Sequence, residues 1–365
     1  MSARRDRRPR VLLVAGPAAG GTRTHVLNLA RFLAGRGDEV TLLAPVPTFG
    51  DDRPESVTCL EAPVGSGAQS RRVRALLAAA GRSHDVVHAH GLRASAAAVT
   101  AVDGVPVVST WHNAGLSGWP RSWLHSRLER VVAARAATVL TVSPDLYESA
   151  LSHRAARVEL IQVPAPLLAP TGVPVDRVRR DLGVPPGRPL VVATARLDRQ
   201  KRLDLLVAAA ASWTSAVDPY VVIAGDGPER RALERRIVRS RAPVRLVGRR
   251  RDIGDLLRAA EVAVITSRWE GWPLAAQEAL RAGVPLVASD LPGIRALAGP
   301  AAEYVPVGDT LGFRRAIERA ARDQGLRRML KDAAQEREHA WLTVEQANDR
   351  IRTLYLNLNS TVKSR

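Results

Sequence analysis

Short runs of consecutive apolar residues recur along the first half of the chain, and longer stretches with helical spacing separate them. The runs are VLLVA (11–15), VTLLA (40–44), DVVHA (85–89), VPVVST (105–110) and ATVLTVS (137–143). Between the first two runs, residues 22–36 carry Val26, Leu29, Ala30 and Leu33 on one helical face. Fully apolar strands that alternate with helices predict a parallel sheet covered on both faces.

The alternation breaks once, in a segment rich in proline, and then starts again. Residues 162–189 have the composition of a linker, with a short helix predicted at 175–182. After it come LVVATA (190–195), YVVIAG (220–225), VRLVG (244–248), EVAVIT (261–266) and PLVAS (285–289), followed by helical spacing over 310–358. We therefore predict an α/β fold class with two doubly wound domains facing a cleft. The predicted domains are 1–168 and 169–365, the second including the C-terminal helices that close the fold.

Composition changes this picture only in part. The chain has 54 Lys and Arg against 36 Asp and Glu, a net charge of +18, which favours nucleic acid, anionic lipid or phosphorylated ligands. The basic blocks at 4–10 and 249–251 lack the interleaved aromatic residues of a single-strand platform, so we predict no nucleic-acid partner. The single cysteine, Cys59, excludes an internal disulfide and a cysteine-based zinc site.

The relation to membranes follows from the length of the apolar runs. None reaches the roughly 20 residues that span a bilayer, and the charged start leads directly into a strand, not into a signal-peptide core. We therefore expect a cytoplasmic protein. Residues 119–132 are amphipathic, with tryptophan and arginine beside an apolar face from Leu124 to Val132. Such a helix suits peripheral contact with an anionic inner membrane face, or else packs its apolar face inward.

A glycine-rich loop, Gly16 to Thr22, joins the first strand to the first helix. The adjacent Gly20 and Gly21 would let the backbone approach a ligand, and the helix that follows offers free N–H groups to a phosphate. The spacing differs from the dinucleotide fingerprint, and the second strand ends without an acid to hold a ribose, which argues against an NAD enzyme. A tight turn without a ligand is the alternative interpretation.

Two loops of the second half carry charges suited to an anionic ligand. Arg196 and Lys201 follow a strand and precede a helix, where a guanidinium fork and a mobile ammonium could neutralise a diphosphate, although they could equally be solvated. The segment 267–280 places Glu270 in a loop and Glu278 inside the next helix, which begins near Pro273. Two carboxylates so placed could grip two sets of hydroxyls. The backbone N–H groups of Gly271, Trp272 and Leu274 would remain free for sugar or phosphate oxygens.

Four histidines cluster in the first half, namely His25, His88, His90 and His112. His88 and His90 lie at one strand end, and His112 lies at the end of the next strand. A zinc site needs converging ligands, and the chain has no helical His-x-x-x-His pair, so we predict no metal. By position His112 is the better functional candidate, although a lone histidine is more often a structural residue.

Taken together, these segments resemble the family 4 retaining glycosyltransferases, which have two Rossmann-like domains in the GT-B arrangement. The resemblance runs from residue 10 to about residue 325, and its most specific parts are the arginine–lysine pair and the two glutamates. The other matching pieces are GGTRTHVLNLARFLAGRGDEV (20–40), DVVHAHG (85–91), GVPVVSTWHN (104–113), ATVLTVS (137–143), VVIAGDGPERRALE (221–234), VRLVG (244–248) and VPVGD (305–309).

The resemblance implies roles for these residues. Arg196 and Lys201 would bind the donor pyrophosphate and stabilise it as it leaves, without a metal ion. Glu278 would hold the ribose hydroxyls, and Glu270 would contact the sugar. Gly20 and Gly21 would approach the phosphate or the acceptor, His112 would lie near the donor sugar, and the loop at Gly248 would touch the nucleobase. No cofactor is implied, since the nucleotide diphosphate sugar is a substrate.

Three segments depart from the family pattern. The usual Gly-Gly-x-x-Glu is here Pro292 to Ala296, so the glutamate is absent. The linker lacks the usual proline-asparagine-glycine turn, and Asp38 stands where the family has histidine. The resemblance as a whole implies a retaining transfer of a glucose- or mannose-type hexose to a hydroxyl acceptor, lipid-linked or part of a cell-envelope glycan. The alternatives are a weak or silent GT-B binding protein and a nucleotide-sugar epimerase.

Overall fold

A computed structural model describes residues 8–18, 20–50, 52–65, 71–113, 121–214 and 218–362. The chain forms two compact units: Met1–Pro164 with Leu342–Arg365, and Ala165–Trp341. The basic residues 4–7 and the start of the amphipathic segment, Trp119 and Pro120, lie outside the described residues.

The strands among the described residues are β1 (Arg10–Ala15), β2 (Glu39–Ala44), β3 (Thr58–Glu61), β4 (Val86–His90), β5 (Val107–Trp111), β6 (Thr138–Thr141), β7 (Val158–Leu160), β8 (Leu190–Thr194), β9 (Tyr220–Ala224), β10 (Val244–Gly248), β11 (Val262–Ile265), β12 (Leu286–Ser289) and β13 (Ala302–Val305). The helices are α1 (Gly20–Gly35), α2 (Val46–Phe49), α3 (Arg71–Ser83), α4 (Leu92–Ala101), α5 (Arg121–Arg135), α6 (Pro144–Ser152), α7 (Val175–Asp181), α8 (Leu203–Ala210), α9 (Arg230–Ser240), α10 (Ile253–Arg258), α11 (Leu274–Arg281), α12 (Pro292–Ala298), α13 (Thr310–Arg322), α14 (Gln324–Glu338) and α15 (Val344–Val362).

Each unit is built on one parallel sheet. The first sheet has the order β3-β2-β1-β4-β5-β6-β7, and the second has the order β10-β9-β8-β11-β12-β13. In each sheet the chain winds outward first on one side and then on the other, so the winding reverses between β1 and β4 and between β8 and β11. Loops at such a reversal leave a crevice beyond the carboxyl ends of the strands. The predicted α/β class with two doubly wound domains is confirmed.

The strands that form the sheet centres are apolar because both faces are covered. The strands β1 and β4 are buried along nearly their whole length, as are β8 and β11. Val26, Leu29, Ala30 and Leu33 of α1 are fully buried against the first sheet, as their spacing predicts. Three strands escape prediction, namely β3, β7 and β13. They lie at sheet edges, where partial exposure removes the continuous apolar run.

The predicted domain boundaries need correction at both ends of the second unit. The first unit ends at Pro164, four residues before the predicted boundary, and residues 342–365 belong to the first unit, not to the second. The cause is the packing of α15, since Ile351, Leu354 and Tyr355 are buried in the core around β1 and α1. Only α13 and α14 of the C-terminal helices close the second unit.

An ion pair fastens α15 to the first unit. Asp38, in the turn between α1 and β2, is buried and accepts two hydrogen bonds from Arg352, Nε to Oδ2 at 2.7 Å and Nη2 to Oδ1 at 2.8 Å. The aspartate that departs from the family pattern therefore has a structural partner 314 residues away.

Replacing Arg352 with alanine should destabilise the first unit, because it leaves the buried carboxylate of Asp38 unpaired. Breaking one partner of a buried pair costs about 3 kcal/mol in the free energy of unfolding. Urea denaturation followed by circular dichroism measures this change. Arg350→Ala, an exposed position on the same helix, is the matched control, and an equal effect of the two substitutions would contradict the assignment.

Among the described residues, no helix combines the length and apolarity that crossing a bilayer requires.

Candidate functional site

The loops after β8 and β11 lie side by side at the reversal of the second sheet, and hydrogen bonds join them. The backbone N–H of Arg268 donates to the Gln200 carbonyl at 2.8 Å, and the Gln200 side chain donates to the Trp269 carbonyl at 2.9 Å. The Thr266 hydroxyl donates to the Lys201 carbonyl at 2.8 Å. The two loops in which the sequence predicts the donor site are therefore held together by hydrogen bonds.

Lys201, in the loop after β8, contacts Glu270, in the loop after β11. The Lys201 Nζ donates to Glu270 Oε1 at 2.7 Å, and the Ser267 hydroxyl donates to the same oxygen at 2.5 Å. Glu270 and Ser267 are buried, whereas Lys201 is partly accessible. Because an ammonium has three N–H donors, Lys201 keeps hydrogen-bonding capacity for an anion while Glu270 holds its position.

Arg196 lies in the same loop but has a different environment. Its side chain is 56% exposed, and its Nε lies 3.8 Å from Asp198 Oδ2, so the guanidinium is loosely held and accessible. Asp198 shapes the turn between the two cations, since its Oδ1 accepts the backbone N–H groups of Gln200 at 3.1 Å and Lys201 at 3.3 Å. Of the two cations that the sequence singles out, Lys201 is therefore fixed and Arg196 is accessible.

Two glycines after β9 allow the chain to pass close to the loop that carries Arg196. A Cβ on Gly225 would overlap the Ala195 carbonyl, and a Cβ on Gly227 would overlap the Leu197 carbonyl. Gly248 ends β10 with a φ of 71°, and its carbonyl accepts the Gly225 N–H at 2.7 Å. Gly225 and Gly227 therefore pass close beside the backbone of the Arg196 loop, where a side chain would not fit, and the Gly248 carbonyl holds Gly225 in place.

A further glycine allows a close backbone contact with the loop that carries Glu270. Gly293 is the second residue of α12, and a Cβ there would overlap the carbonyl oxygens of Glu270 and Gly271. The segment that departs from the family pattern therefore keeps the glycine that packing requires. In the same segment Arg295 forms a bidentate pair with Asp290, and Ala296 offers no acceptor beyond its backbone.

The start of α11 is arranged as predicted. Glu270 and Gly271 lie in the loop, Leu274 is the first helical residue, and Glu278 lies within the helix. Among the described residues, none accepts a hydrogen bond from the backbone N–H of Gly271, Trp272 or Leu274. The buried indole Nε1 of Trp272 also has no partner in the described chain. Burial raises the pKa of Glu278, and Arg281 partly opposes this shift.

The glycine-rich loop of the first unit lies at the reversal between β1 and β4. Gly20 begins α1 with a φ of 56°, and apart from its chain neighbours and its own helix no atom of the described residues lies within 4 Å of the place where its Cβ would be. Gly21 follows in the first turn. The Thr48 hydroxyl fixes the loop by accepting the Ala18 N–H at 3.0 Å and donating to the Gly16 carbonyl at 2.8 Å. The open space at Gly20 leaves room for a ligand.

Histidines gather at this same reversal. His25 comes from α1, His90 ends β4 and His112 follows β5, and all three are buried. Their ring centroids lie 5.5 Å apart in each pair, and His90 Nδ1 lies 3.2 Å from His112 Nε2. One nitrogen of each ring lies within 4.8 Å of one nitrogen of the other two. The sequence-based argument that no histidine ligands converge is therefore wrong for these three rings.

His88 supports the group from within the sheet. Hydrogen bonds join its Nδ1 to the Tyr355 hydroxyl at 2.5 Å and its Nε2 to the Thr110 hydroxyl at 2.6 Å. Its ring packs on His90 with centroids 4.1 Å apart. Burial lowers the pKa of His25 to about 4 and lowers the pKa values of the other three histidines well below the ordinary range, so the rings are neutral at neutral pH.

Sequence reasoning missed several contributors to these sites. Ser267, Asp198 and Gly293 act through packing or loop hydrogen bonds, and their roles depend on segments distant in sequence. Tyr355 lies 267 residues from His88, and no local pattern connects the two. The glycines after β9 carried a usable signal, since Gly-Asp-Gly directly after a buried strand indicates close backbone approach.

Two family models match successive parts of the chain. Residues 19–164 match the model described as Glycosyltransferase Family 4, and residues 174–337 match the model described as Glycosyl transferases group 1. Together they cover both units apart from the terminal segments and the short segment between the matches.

Individual relatives are distant. The chain is 30% identical over 224 residues to the teichuronic acid biosynthesis glycosyltransferase TuaC of Bacillus subtilis, a match that covers 59% of this chain and 55% of that protein. It is 29% identical over 329 residues to the D-inositol 3-phosphate glycosyltransferase of Xylanimonas cellulosilytica, covering 76% and 77%. The match to the first relative thus spans little more than half of that protein's length.

Solved structures share the fold over nearly the whole chain. HepE of Anabaena, in complex with UDP, superposes with a TM-score of 0.80 at 19% identity and covers 94% of this chain and 99% of its own. Sucrose-phosphate synthase of Thermosynechococcus elongatus gives a TM-score of 0.78 at 21% identity, covering 97% and 100%. At these identities the likeness establishes the fold alone.

Proposed function

Since the chain belongs to the family 4 glycosyltransferases of group 1, we propose that it transfers a hexose from a nucleotide diphosphate sugar to a hydroxyl acceptor. The observation that carries the proposal is the Lys201–Glu270–Ser267 group at the β8–β11 reversal, where an open parallel sheet binds its ligand. An accessible arginine stands in the same loop. This combination suits a ligand that joins an anionic diphosphate to a neutral sugar.

Arg196 and Lys201 bind the diphosphate and neutralise it as it leaves. When the bond between the sugar C1 and the phosphate oxygen breaks, negative charge grows on that oxygen, and cations already in position stabilise it. Lys201 is oriented by Glu270, so little reorganisation precedes the reaction. In this proposal the protein's own cations perform the charge neutralisation that a metal ion performs in other enzymes.

The remaining donor contacts follow the family resemblance. Glu278 accepts hydrogen bonds from the ribose hydroxyls, Glu270 contacts the sugar, and the backbone at Gly248 meets the nucleobase. The free N–H groups of Gly271, Trp272 and Leu274 face sugar or phosphate oxygens. In the first unit, Gly20 and Gly21 leave room for the acceptor or the phosphate, and His112 lies near the donor sugar.

The stereochemistry we propose is retention of the anomeric configuration. The acceptor oxygen forms its bond to C1 on the face from which the diphosphate departs, and the acceptor proton passes to the departing phosphate oxygen. This step needs no protein nucleophile. The neighbour HepE was crystallised with UDP and with UDP-glucose, which supports a nucleotide diphosphate hexose as donor for this chain.

Donor hydrolysis tests the proposal without knowledge of the acceptor. The protein is incubated with UDP- and GDP-hexoses, and the free nucleoside diphosphate is measured, with Lys201→Ala and Glu278→Ala as controls. Release that both variants abolish supports the proposal. The second candidate is a silent binding protein, which the missing glutamate at Ala296 favours. A donor that binds without being consumed would establish that alternative. A converted hexose still attached to its nucleotide would identify an epimerase.

Donor affinity should depend on pH through Glu278. Only the ionised carboxylate accepts two hydroxyl hydrogen bonds, and burial raises its pKa above the ordinary value. Affinity should therefore fall as the pH drops through this raised pKa, before an ordinary glutamate would protonate. Calorimetric titration of the nucleotide from about pH 8 to about pH 5 measures the change. Glu278→Gln should bind more weakly, about 10-fold, with a flat profile, and a parallel profile would contradict this role.

We also propose that the first unit contacts an anionic membrane through the start of α5. Trp123 is 62% exposed and Leu124 is 48% exposed, and Arg127 lies over the Trp123 ring at 5.6 Å. Farther along the helix, Val132 packs inward. Co-sedimentation with vesicles of anionic phospholipid at low salt should recover the wild type, and Trp123→Ser with Leu124→Ser should remain in the supernatant. Wild type that stays unbound would remove the idea.

A further inference from the structure

Three buried histidines of the first unit share a small volume at the β1–β4 reversal. His25 lies in α1, His90 ends β4 and His112 follows β5, and one ring nitrogen of each lies within 4.8 Å of one ring nitrogen of the other two. His90 Nδ1 and His112 Nε2 are 3.2 Å apart. Two nitrogens bound at about 2.0 Å to one tetrahedral zinc ion are roughly 3.3 Å apart, so this pair already has the required spacing.

The hydrogen bonding of the group is incomplete in a way that points to a ligand. His25 Nε2 and His90 Nε2 are buried and have no hydrogen-bond partner in the described part of the chain. A buried polar atom without a partner costs about 1–3 kcal/mol. His88, by contrast, has partners for both nitrogens. Among the four histidines at this reversal, the nitrogens without a partner thus belong to two of the rings that converge.

We propose that His25, His90 and His112 form a binding site for a divalent transition metal ion of the zinc class. Imidazole nitrogen suits zinc, and three histidines with one open position are an established zinc coordination set. The fourth position would take water or a hydroxyl of a bound ligand. Magnesium and calcium, which prefer oxygen ligands, should not bind there.

The three histidines all belong to the first unit, and none of them is part of the Lys201–Glu270–Ser267 group of the second unit. Because the proposed function also assigns His112 to the donor sugar, zinc binding and nucleotide binding are tested separately. His88 packs on His90 with ring centroids 4.1 Å apart, and Tyr355 packs on His88 with ring centroids 5.7 Å apart. The supporting contacts thus reach the site through one ring.

Zinc titration of the tag-free protein tests the site. The full chain is stripped with EDTA, dialysed and titrated with zinc chloride in a calorimeter, and bound zinc is counted by mass spectrometry. We expect one zinc ion per chain. His25→Gln, His90→Gln and His112→Gln should each weaken binding about 100-fold. Magnesium chloride should give no binding heat.

The chain supplies its own matched control. His125 and His153 each have Nε2 at 3.4 Å from a carboxylate oxygen of Glu129, which is a second place where histidines gather. His125→Gln and His153→Gln should leave zinc binding unchanged. No zinc uptake by the wild type, unchanged affinity in the three cluster variants, or loss only in the two controls would overturn the proposal.

A spectroscopic measurement covers the case in which a cluster variant fails to fold. Cobalt(II) added to the stripped wild type should give the intense visible bands of a four-coordinate ion with nitrogen ligands, and zinc should displace them. The weak spectrum of octahedral cobalt would overturn the site. UDP and GDP binding by the zinc-free protein is measured separately, so failure of this inference and failure of the proposed function are distinguishable.

Discussion

Lys201→Ala is expected to lower the rate of donor cleavage about 1000-fold. The substitution removes the cation that stabilises the departing diphosphate, and loss of one such preorganised group typically costs 10²–10³ in rate. It also leaves the buried Glu270 carboxylate without the ammonium that contacts it at 2.7 Å. Release of the nucleoside diphosphate under saturating donor, followed by chromatography, measures the rate.

The control for this prediction lies in the same loop. Arg199 is 90% exposed, and within the described residues it pairs with Glu229 at 3.3 Å, so Arg199→Ala should change the rate by less than about 2-fold. Comparable losses in the two variants would mean that general positive charge matters and that the Lys201–Glu270 pair does not. A Lys201→Ala protein that retains near wild-type activity would remove Lys201 from the mechanism.

Gly293→Ala is expected to disable the site without altering any charged residue. The added Cβ would overlap the carbonyl oxygens of Glu270 and Gly271, so either α12 or the loop must move. Overpacking of this kind costs about 3 kcal/mol in the free energy of unfolding. A displacement of about 1 Å in a catalytic loop lowers the rate about 100-fold. Thermal unfolding and donor cleavage, measured on the same preparation, report the two effects.

Gly254→Ala is the matched control for this substitution. Gly254 is also the second residue of a short helix, α10, but a Cβ there would find its nearest neighbours at 3.4 Å, which is ordinary contact. Because alanine favours a helix over glycine, Gly254→Ala should be neutral or slightly stabilising. If Gly293→Ala proved as harmless as Gly254→Ala, neither stability nor donor cleavage would depend on the close packing of α12 on the Glu270 loop.

The central strands of both sheets and the edge strand β10 could be predicted, whereas the edge strands β3, β7 and β13 could not. Strands such as β1 and β8 are covered on both faces, so their apolar runs stand out in the sequence. The edge strands β3 and β13 are half-exposed and mix polar with apolar residues, which leaves no run to recognise. The placement of α15 was wrong for a different reason, because helical spacing reveals a buried face but not the sheet on which that face packs.

The candidate site could be predicted where its residues follow one another along the chain. Glu270 and Glu278 flank a helix start, and Lys201 follows a strand, so their positions are local information. The pairing of Lys201 with Glu270 depends on β8 and β11 being neighbours, which only the topology provides. The convergence of His25 with His90 and His112 likewise requires β1, β4 and β5 to be adjacent, so no spacing within the sequence predicts it.

Calorimetric titration of UDP and GDP, with EDTA present, tests the central claim most directly. The claim is that the Lys201–Glu270 group and its loop bind a nucleotide diphosphate without a metal ion. We predict that one of the two nucleotides binds at one site per chain, that Lys201→Ala weakens this binding about 10-fold or more, and that Arg199→Ala leaves it unchanged. Absence of binding by both nucleotides, or binding that EDTA abolishes, would contradict the claim.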